Sequence, residues 1–135
     1  MSEREAMRKA KQDIKEWVNA KTKRTPYFYA VHLAAYSGLP EHFKLLEKYG
    51  ADMNAVDKSG HSAMHIAAWR DRAHTLCYLK SKGVDPQVRD SEGQTPLHWA
   101  CFYGSEEAIF YLLAWTADVN IQDVSGRIPL HHAVD

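Results

Sequence analysis

The sequence predicts an all-α protein assembled from a repeated unit, and two patterns support that prediction. The first is a period of 33 residues, which places the same residue types at equivalent positions along the chain. The second is a recurring turn signal, Asp-x-x-Gly, followed by apolar residues at helical spacing. The residues in register are Asp57, Asp90 and Asp123; Gly60, Gly93 and Gly126; and His32, His65, His98 and His131.

The third copy shows why each element of the unit should form. Asp90 and Gly93 are typical of a tight turn, because Asp bonds nearby backbone and Gly takes positive φ. Thr95 can cap the first helix, Pro96 suits its first position, and Gly104 can end it in the left-handed conformation. The predicted buried stripe of the second helix comprises Ala108, Ile109, Leu112 and Leu113.

These residues resemble the ankyrin repeat family. The unit that begins at Asp90 reads D-S-E-G-Q-T-P-L-H-W-A and closes with A-D-V-N, similar to the family pattern D-x-x-G-x-T-P-L-H-x-A-A and G-A-D-V-N. The resemblance implies an ankyrin-repeat solenoid, in which each unit is a β-turn finger and two antiparallel helices and the first-helix histidine bridges turns. The implied repeats are 24–56, 57–89, 90–122 and an incomplete 123–135.

Some positions depart from the family pattern. Tyr27 stands in the finger-glycine position of the first unit, so we expect that unit to be a degenerate cap. Asp71 replaces a helix-ending glycine and tolerates the left-handed region, whereas Thr116 would be strained there and predicts a different loop. Because the fourth unit stops inside its first helix, we expect a longer parent protein or a partner to cover that end.

Residues 1–23 precede the repeats and predict one amphipathic helix over about 2–22. Ser2 and Glu5 form a capping-box pattern at its start. The residues predicted to share its apolar face are Met7, Ala10, Ile14, Trp17 and Val18. We expect this helix to dock on the first repeat as a cap, and the alternative is a helix that binds a separate partner or a membrane surface.

Charge and composition restrict the function classes. The chain of 135 residues carries no net charge, but the charges are unevenly distributed. Residues 1–24 hold eight Lys/Arg and four Asp/Glu, whereas residues 25–135 hold nine Lys/Arg and thirteen Asp/Glu. The acidic repeats are therefore poorly suited to nucleic acid, whose binding depends on many phosphate contacts. The sequence shows no signal peptide or membrane span, and only two cysteines, Cys77 and Cys101, which favours a reducing cytoplasmic location.

The sequence shows no familiar catalytic, cofactor or metal motif. It lacks a glycine-rich phosphate loop, G-x-S-x-G, H-E-x-x-H and C-x-x-C. The four repeated histidines should lie on successive helices about 8–10 Å apart, too far to share one metal ion. We therefore predict a non-catalytic chain with no cofactor and no metal site.

The resemblance implies that finger tips and first helices line a concave groove for a partner. Tyr36, Trp69 and Phe102 are 33 residues apart and predict an aromatic column there, although packing between repeats is an alternative role. Trp, Tyr and Arg are frequent energetic anchors of interfaces. The candidate partner-binding residues are Tyr36, Trp69, Arg70, Trp99, Phe102, Tyr103, His61, Glu92, Gln94 and Arg127.

These features predict an adaptor or scaffold that binds a protein segment or folded domain. The unit around Leu97-His98-Trp99-Ala100 is also similar to repeats of ankyrin-bearing DHHC protein S-acyltransferases (palmitoyltransferases). That resemblance implies a substrate-recruiting module on the cytosolic face of a membrane, in a larger protein whose downstream domain holds the catalytic cysteine. A third interpretation makes Asn54 and Asn120 targets of asparagine hydroxylation, and the alternative is that they stabilise their loops.

Overall fold

The computed structural model describes residues 2–18, 30–116 and 118–134, and over these ranges all regular secondary structure is helical. The predicted position of Tyr27 in the first finger lies outside these residues. The helices are α1 (Glu3–Val18), α2 (Ala30–Ser37), α3 (Pro40–Lys48), α4 (Ala63–Trp69), α5 (Ala73–Ser81), α6 (Pro96–Tyr103), α7 (Glu106–Trp115) and α8 (Pro129–Val134).

The helices α2 to α8 form two layers. The first helices of successive units, α2, α4, α6 and α8, pack against one another in that order, and α3, α5 and α7 form the second layer. Alanines on the first helices are fully buried, as at Ala35, Ala67 and Ala100, so the helices can approach closely. Larger side chains from the second layer fill the core, including Phe43 and Leu112.

A β-turn finger precedes each of α4, α6 and α8. In the finger before α6, the carboxylate Oδ1 of Asp90 accepts the backbone N–H groups of Glu92 and Gln94, each at 2.9 Å. Neighbouring fingers are joined through the backbone, because Ser91 N–H donates to the Ser59 carbonyl and Val124 N–H to the Glu92 carbonyl, both at 2.9 Å. The predicted turns are therefore also the links between units.

The repeated histidines cap one unit and bind the next. His65 Nε2 lies 2.8 Å from the Gln94 carbonyl, so this nitrogen carries the proton, and Nδ1 accepts the Ser62 N–H at 3.2 Å. His98 repeats both contacts, and His32 Nε2 reaches the His61 carbonyl at 2.7 Å. Burial lowers the pKa of His65 to about 4 despite this carbonyl bond, so the ring is neutral at pH 7.

The residues that follow α4, α6 and α7 have the expected conformations. Asp71 is left-handed at φ 56°, and Gly104 ends α6 at φ 68°. Thr116 avoids that region with φ −95° and ψ 124°, which confirms that the loop takes another shape. The predicted buried stripe of α7 was wrong at Leu113, whose side chain is 45% exposed because it lies beside an open groove beyond α7.

The N-terminal helix α1 ends at Val18 in the described part of the chain, and the Glu5 N–H donates to Ser2 Oγ at 3.2 Å, as half of the predicted capping box. The side chains of its predicted apolar face lie outside the described residues, so its docking on the first repeat stays a prediction. Among the described helices, none is long and apolar enough to cross a membrane.

Candidate partner-binding surface

Five aromatic side chains of the first helices are grouped on one face of the repeats; we call this group the aromatic surface. Tyr36, Phe102 and Tyr103 are 45%, 58% and 51% exposed, and Trp69 and Trp99 are partly buried. Aromatic side chains with this much exposed area are accessible to a partner, while the partly buried indoles attach the surface to the core. The surface comprises Tyr36 on α2, Trp69 on α4, and Trp99, Phe102 and Tyr103 on α6.

Ring contacts connect the aromatic surface across three units. Tyr36 lies edge-on to Trp69 with ring centroids 5.7 Å apart. Trp69 then contacts Tyr103 at 5.7 Å and Trp99 at 6.5 Å. Trp99 and Tyr103 are four residues apart on α6 and therefore share one helix face, with centroids 6.2 Å apart. The surface is continuous from the first unit to the third.

The predicted column was wrong in its third member. Among the described residues, the ring contacts of Trp69 on α6 are with Trp99 and Tyr103, whereas Phe102 packs edge-on to Tyr103 at 4.9 Å. Phe102 also faces His132 of α8 at 6.0 Å. The reason is that equal sequence spacing does not fix how one helix is rotated against the next, and Phe102 is turned toward α8 of the next unit.

Arg70 lies at one end of the aromatic surface, directly after α4. Its guanidinium carbon is 4.4 Å from the Tyr36 ring centroid and 5.8 Å from that of Trp69. The side chain is exposed. Cation–π contact with two rings restricts the guanidinium, while the exposure of the side chain keeps its N–H groups accessible.

Trp99 is fixed in place by the finger that precedes α6. Its Nε1–H donates to Asp90 Oδ2 at 3.2 Å. His61 packs edge-on to the Trp99 ring at 4.7 Å and also reaches two fingers, with Nδ1 3.0 Å from Asp57 Oδ2 and Nε2 3.5 Å from Asp90 Oδ2. The indole is therefore held by a hydrogen bond and a ring contact before any partner arrives.

A small pocket opens beside Trp99 on the side facing α8. Its volume is about 160 Å³. Its walls combine three aromatic rings with one amide and two imidazoles, which suits one partner side chain of moderate size. The lining residues are Gln94, His98, Trp99, Phe102, Tyr103 and His132.

The finger candidates occupy different environments. Glu92 is exposed at a finger tip, whereas Gln94 is partly buried and bonds the Asp123 carboxylate with its side chain. Desolvation opposes ionisation of Asp123, but hydrogen bonds from Arg127, Ser125, Gln94 and His132 outweigh it and lower its pKa. Arg127 is tied to its own unit, since its Nη2 donates to the His131 carbonyl at 3.2 Å. Gln94 and Arg127 therefore serve the scaffold as well as the surface.

His98, Asp123 and His132 form a cluster that sequence reasoning did not identify, with possible ligand atoms within 4.8 Å of one another. His98 cannot contribute a lone pair to a metal, because Nδ1 accepts the Thr95 N–H at 3.1 Å and the Nε2 proton goes to the Arg127 carbonyl at 3.0 Å. The remaining pair, joined at 3.4 Å, falls short of the usual three or four ligands. The contacts of the cluster are structural: His98 links α6 to the last finger through the Arg127 carbonyl, and His132 links α8 to the same finger through Asp123.

The geometry described so far is that of stacked finger and helix–turn–helix units, and comparison with known families agrees. The family model for ankyrin repeats (3 copies) matches residues 6–90 and 74–135. The chain belongs to the ankyrin repeat family. Ankyrin repeats are generally protein–protein interaction modules and are typically non-catalytic. No curated protein matches the chain in a sequence comparison.

Proposed function

We propose that this ankyrin repeat chain is an adaptor module that binds a segment of a partner protein on its aromatic surface. The observation that carries the proposal is the unbroken ring contact from Tyr36 through Trp69 to Tyr103, which spans three units and has exposed rings at both ends. Exposed clusters of aromatic side chains on a protein surface are typical of interaction sites.

The rigidity of the surface supports this proposal. The Asp90 bond fixes Trp99, and neighbouring fingers are joined by backbone hydrogen bonds. A preformed surface loses little side-chain entropy when it binds, so more of the contact energy appears as affinity. In this proposal the chain contributes recognition without catalysis or cofactor, in the cytoplasm.

A comparison of captured proteins tests the function. Immobilised wild-type chain and a Trp69→Ala/Phe102→Ala variant are incubated with extract of source cells, and bound proteins are quantified by mass spectrometry. Phe110→Ala serves as the matched control, because Phe110 on α7 is 69% exposed and outside the aromatic surface. We expect proteins enriched by wild type and by the control to be lost from the double variant.

Circular dichroism and urea unfolding establish that the double variant is folded. A folded double variant that captures the same proteins as wild type would contradict the proposed role of the aromatic surface.

The acyltransferase interpretation uses the same surface for substrate recruitment and rests on the similarity around Trp99. Fractionation of source cells and an immunoblot against this region distinguish a free adaptor from a module of a larger acyltransferase. A soluble band near the mass of this chain, 15.4 kDa, favours a free adaptor, and a much larger band in the membrane fraction favours the enzyme-linked module.

A further inference from the structure

We propose that Arg70 binds a carboxylate of the partner, so that the partner segment carries an acidic residue beside the apolar residues that cover Trp69 and Tyr103. This inference rests on the proposed function and adds the chemistry of the partner. It requires a guanidinium that is held in place, accessible and not already neutralised.

Arg70 is held in place by its neighbours. Its guanidinium lies over Tyr36 at 4.4 Å and near Trp69 at 5.8 Å, and these two rings are themselves in edge contact. These cation–π contacts occupy none of its N–H groups in a hydrogen bond, so the exposed guanidinium keeps them for a partner. An exposed arginine restrained in this way loses less entropy on binding than a freely rotating one.

Arg70 is also not neutralised within the part of the chain that the structure describes. The nearest acid in sequence, Asp71, directs its carboxylate to the Ala108 N–H at 2.8 Å. Lys82, by comparison, pairs with Glu47 at 3.1 Å, and Arg127 donates to the His131 carbonyl. No ion pair or hydrogen bond of the Arg70 guanidinium occurs among the described residues.

The anion should be a carboxylate and not a phosphate. Phosphorylated segments are usually recognised by clusters of arginines, whereas a single planar guanidinium matches one carboxylate through two parallel hydrogen bonds. A partner segment that covers Trp69 and Tyr103 would exclude water from the contact with Arg70, and this strengthens such a bond relative to a fully exposed ion pair. The partner therefore combines one acidic side chain with neighbouring apolar ones.

Selection from a displayed library of random dodecapeptides tests this chemistry. The library is selected in parallel on wild type, on Arg70→Glu and on Lys44→Glu, whose exposed lysine on α3 gives a matched change of charge. We expect peptides from wild type and from Lys44→Glu to share Asp or Glu at a fixed distance from an apolar residue. Peptides from Arg70→Glu should instead carry Lys or Arg at that position.

A second measurement uses one selected peptide and its Glu→Gln or Asp→Asn analogue. Fluorescence anisotropy gives Kd values for wild type and Arg70→Gln, and circular dichroism confirms that each variant is folded. We expect either single change to weaken binding about tenfold, and the second change to add little once the first is made.

The outcomes separate this inference from the proposed function. Peptides that bind the aromatic surface without an acidic residue in register, or single changes whose effects multiply independently, would overturn the role of Arg70 and leave the surface proposal intact. Failure of wild type to enrich any peptide that depends on Trp69 would overturn both.

Discussion

The carboxylate of Asp71 accepts the backbone N–H of Ala108 at 2.8 Å, which joins the loop after α4 to the first turn of α7 in the next unit. Ser105 Oγ donates to the Trp69 carbonyl at 3.1 Å beside it. Asp71 reaches this position because its backbone is left-handed at φ 56°. The residue thus combines the conformation of the expected glycine with a cap that glycine cannot provide.

Substitutions at Asp71 should separate conformation from capping. Asp71→Gly loses the cap but fits the backbone, and we expect it to lower the free energy of unfolding by about 1 kcal/mol. Asp71→Ala loses the cap and also strains the left-handed backbone, which adds about 1 kcal/mol. Urea unfolding measures both, and equal stability of the two variants would show that the backbone relaxes when the side chain is removed.

Acidification should destabilise the repeats through their buried histidines. The pKa of His65 is lowered from 6.5 to about 4, chiefly by burial, and burial also lowers the pKa of His32 and His98. Between pH 6.5 and pH 4 the unfolded chain binds more protons than the folded chain. The stability that the neutral His65 ring contributes is therefore complete above about pH 6.5 and is lost as the pH falls toward 4. The contribution of His65 is about 3 kcal/mol, measurable by urea unfolding across this range.

The slope of stability against pH provides the control for that prediction. His65→Gln should flatten the slope whatever its stability at pH 7, since the group that titrates is gone. His74→Gln removes an exposed histidine of α5 and should leave the slope unchanged. Identical slopes for wild type and both variants would place the pH sensitivity elsewhere.

Two finger glycines with the same φ should respond differently to alanine. Gly60 and Gly126 both have φ of 78°. A Cβ on Gly60 would lie 3.0 Å from the Ser91 nitrogen, whereas nothing lies within 4 Å of one on Gly126. We expect Gly126→Ala to lower the free energy of unfolding by about 1 kcal/mol and Gly60→Ala to lower it by about 2–3 kcal/mol. The Gly60 variant loses more because its new Cβ must also shift the neighbouring finger. Thermal unfolding midpoints in the reverse order would refute this account.

The hydrogen bond from Trp99 to Asp90 should matter for stability as well as for the aromatic surface. Trp99→Phe keeps a ring but leaves Asp90 without that donor, at an expected cost of about 1–2 kcal/mol in unfolding free energy. Trp115→Phe is the control, since the Trp115 indole makes ring and cation contacts but no hydrogen bond in the described part of the chain. If both variants lose the same stability, the indole N–H has no special role.

Predictions about single units succeeded because they depend on local chemistry. The Asp90 turn, the Thr95 cap and the left-handed Gly104 follow from residues within a few positions of one another. The prediction that Tyr36, Trp69 and Phe102 form one column was wrong in its last member because equal spacing does not fix the rotation of one helix against the next. The partner-binding role of the ten candidate residues stays a prediction.

The sequence by itself determined the ankyrin unit, since the period of 33 residues sets its length and the turn and cap signals act within a few residues of one another. Only the tertiary structure decided which groups meet between units: Tyr103 with Trp69, Arg70 over Tyr36, and the Asp71 carboxylate with the Ala108 N–H. These contacts depend on the distance and rotation between stacked helices, which result from the packing of the whole core and not from any one segment.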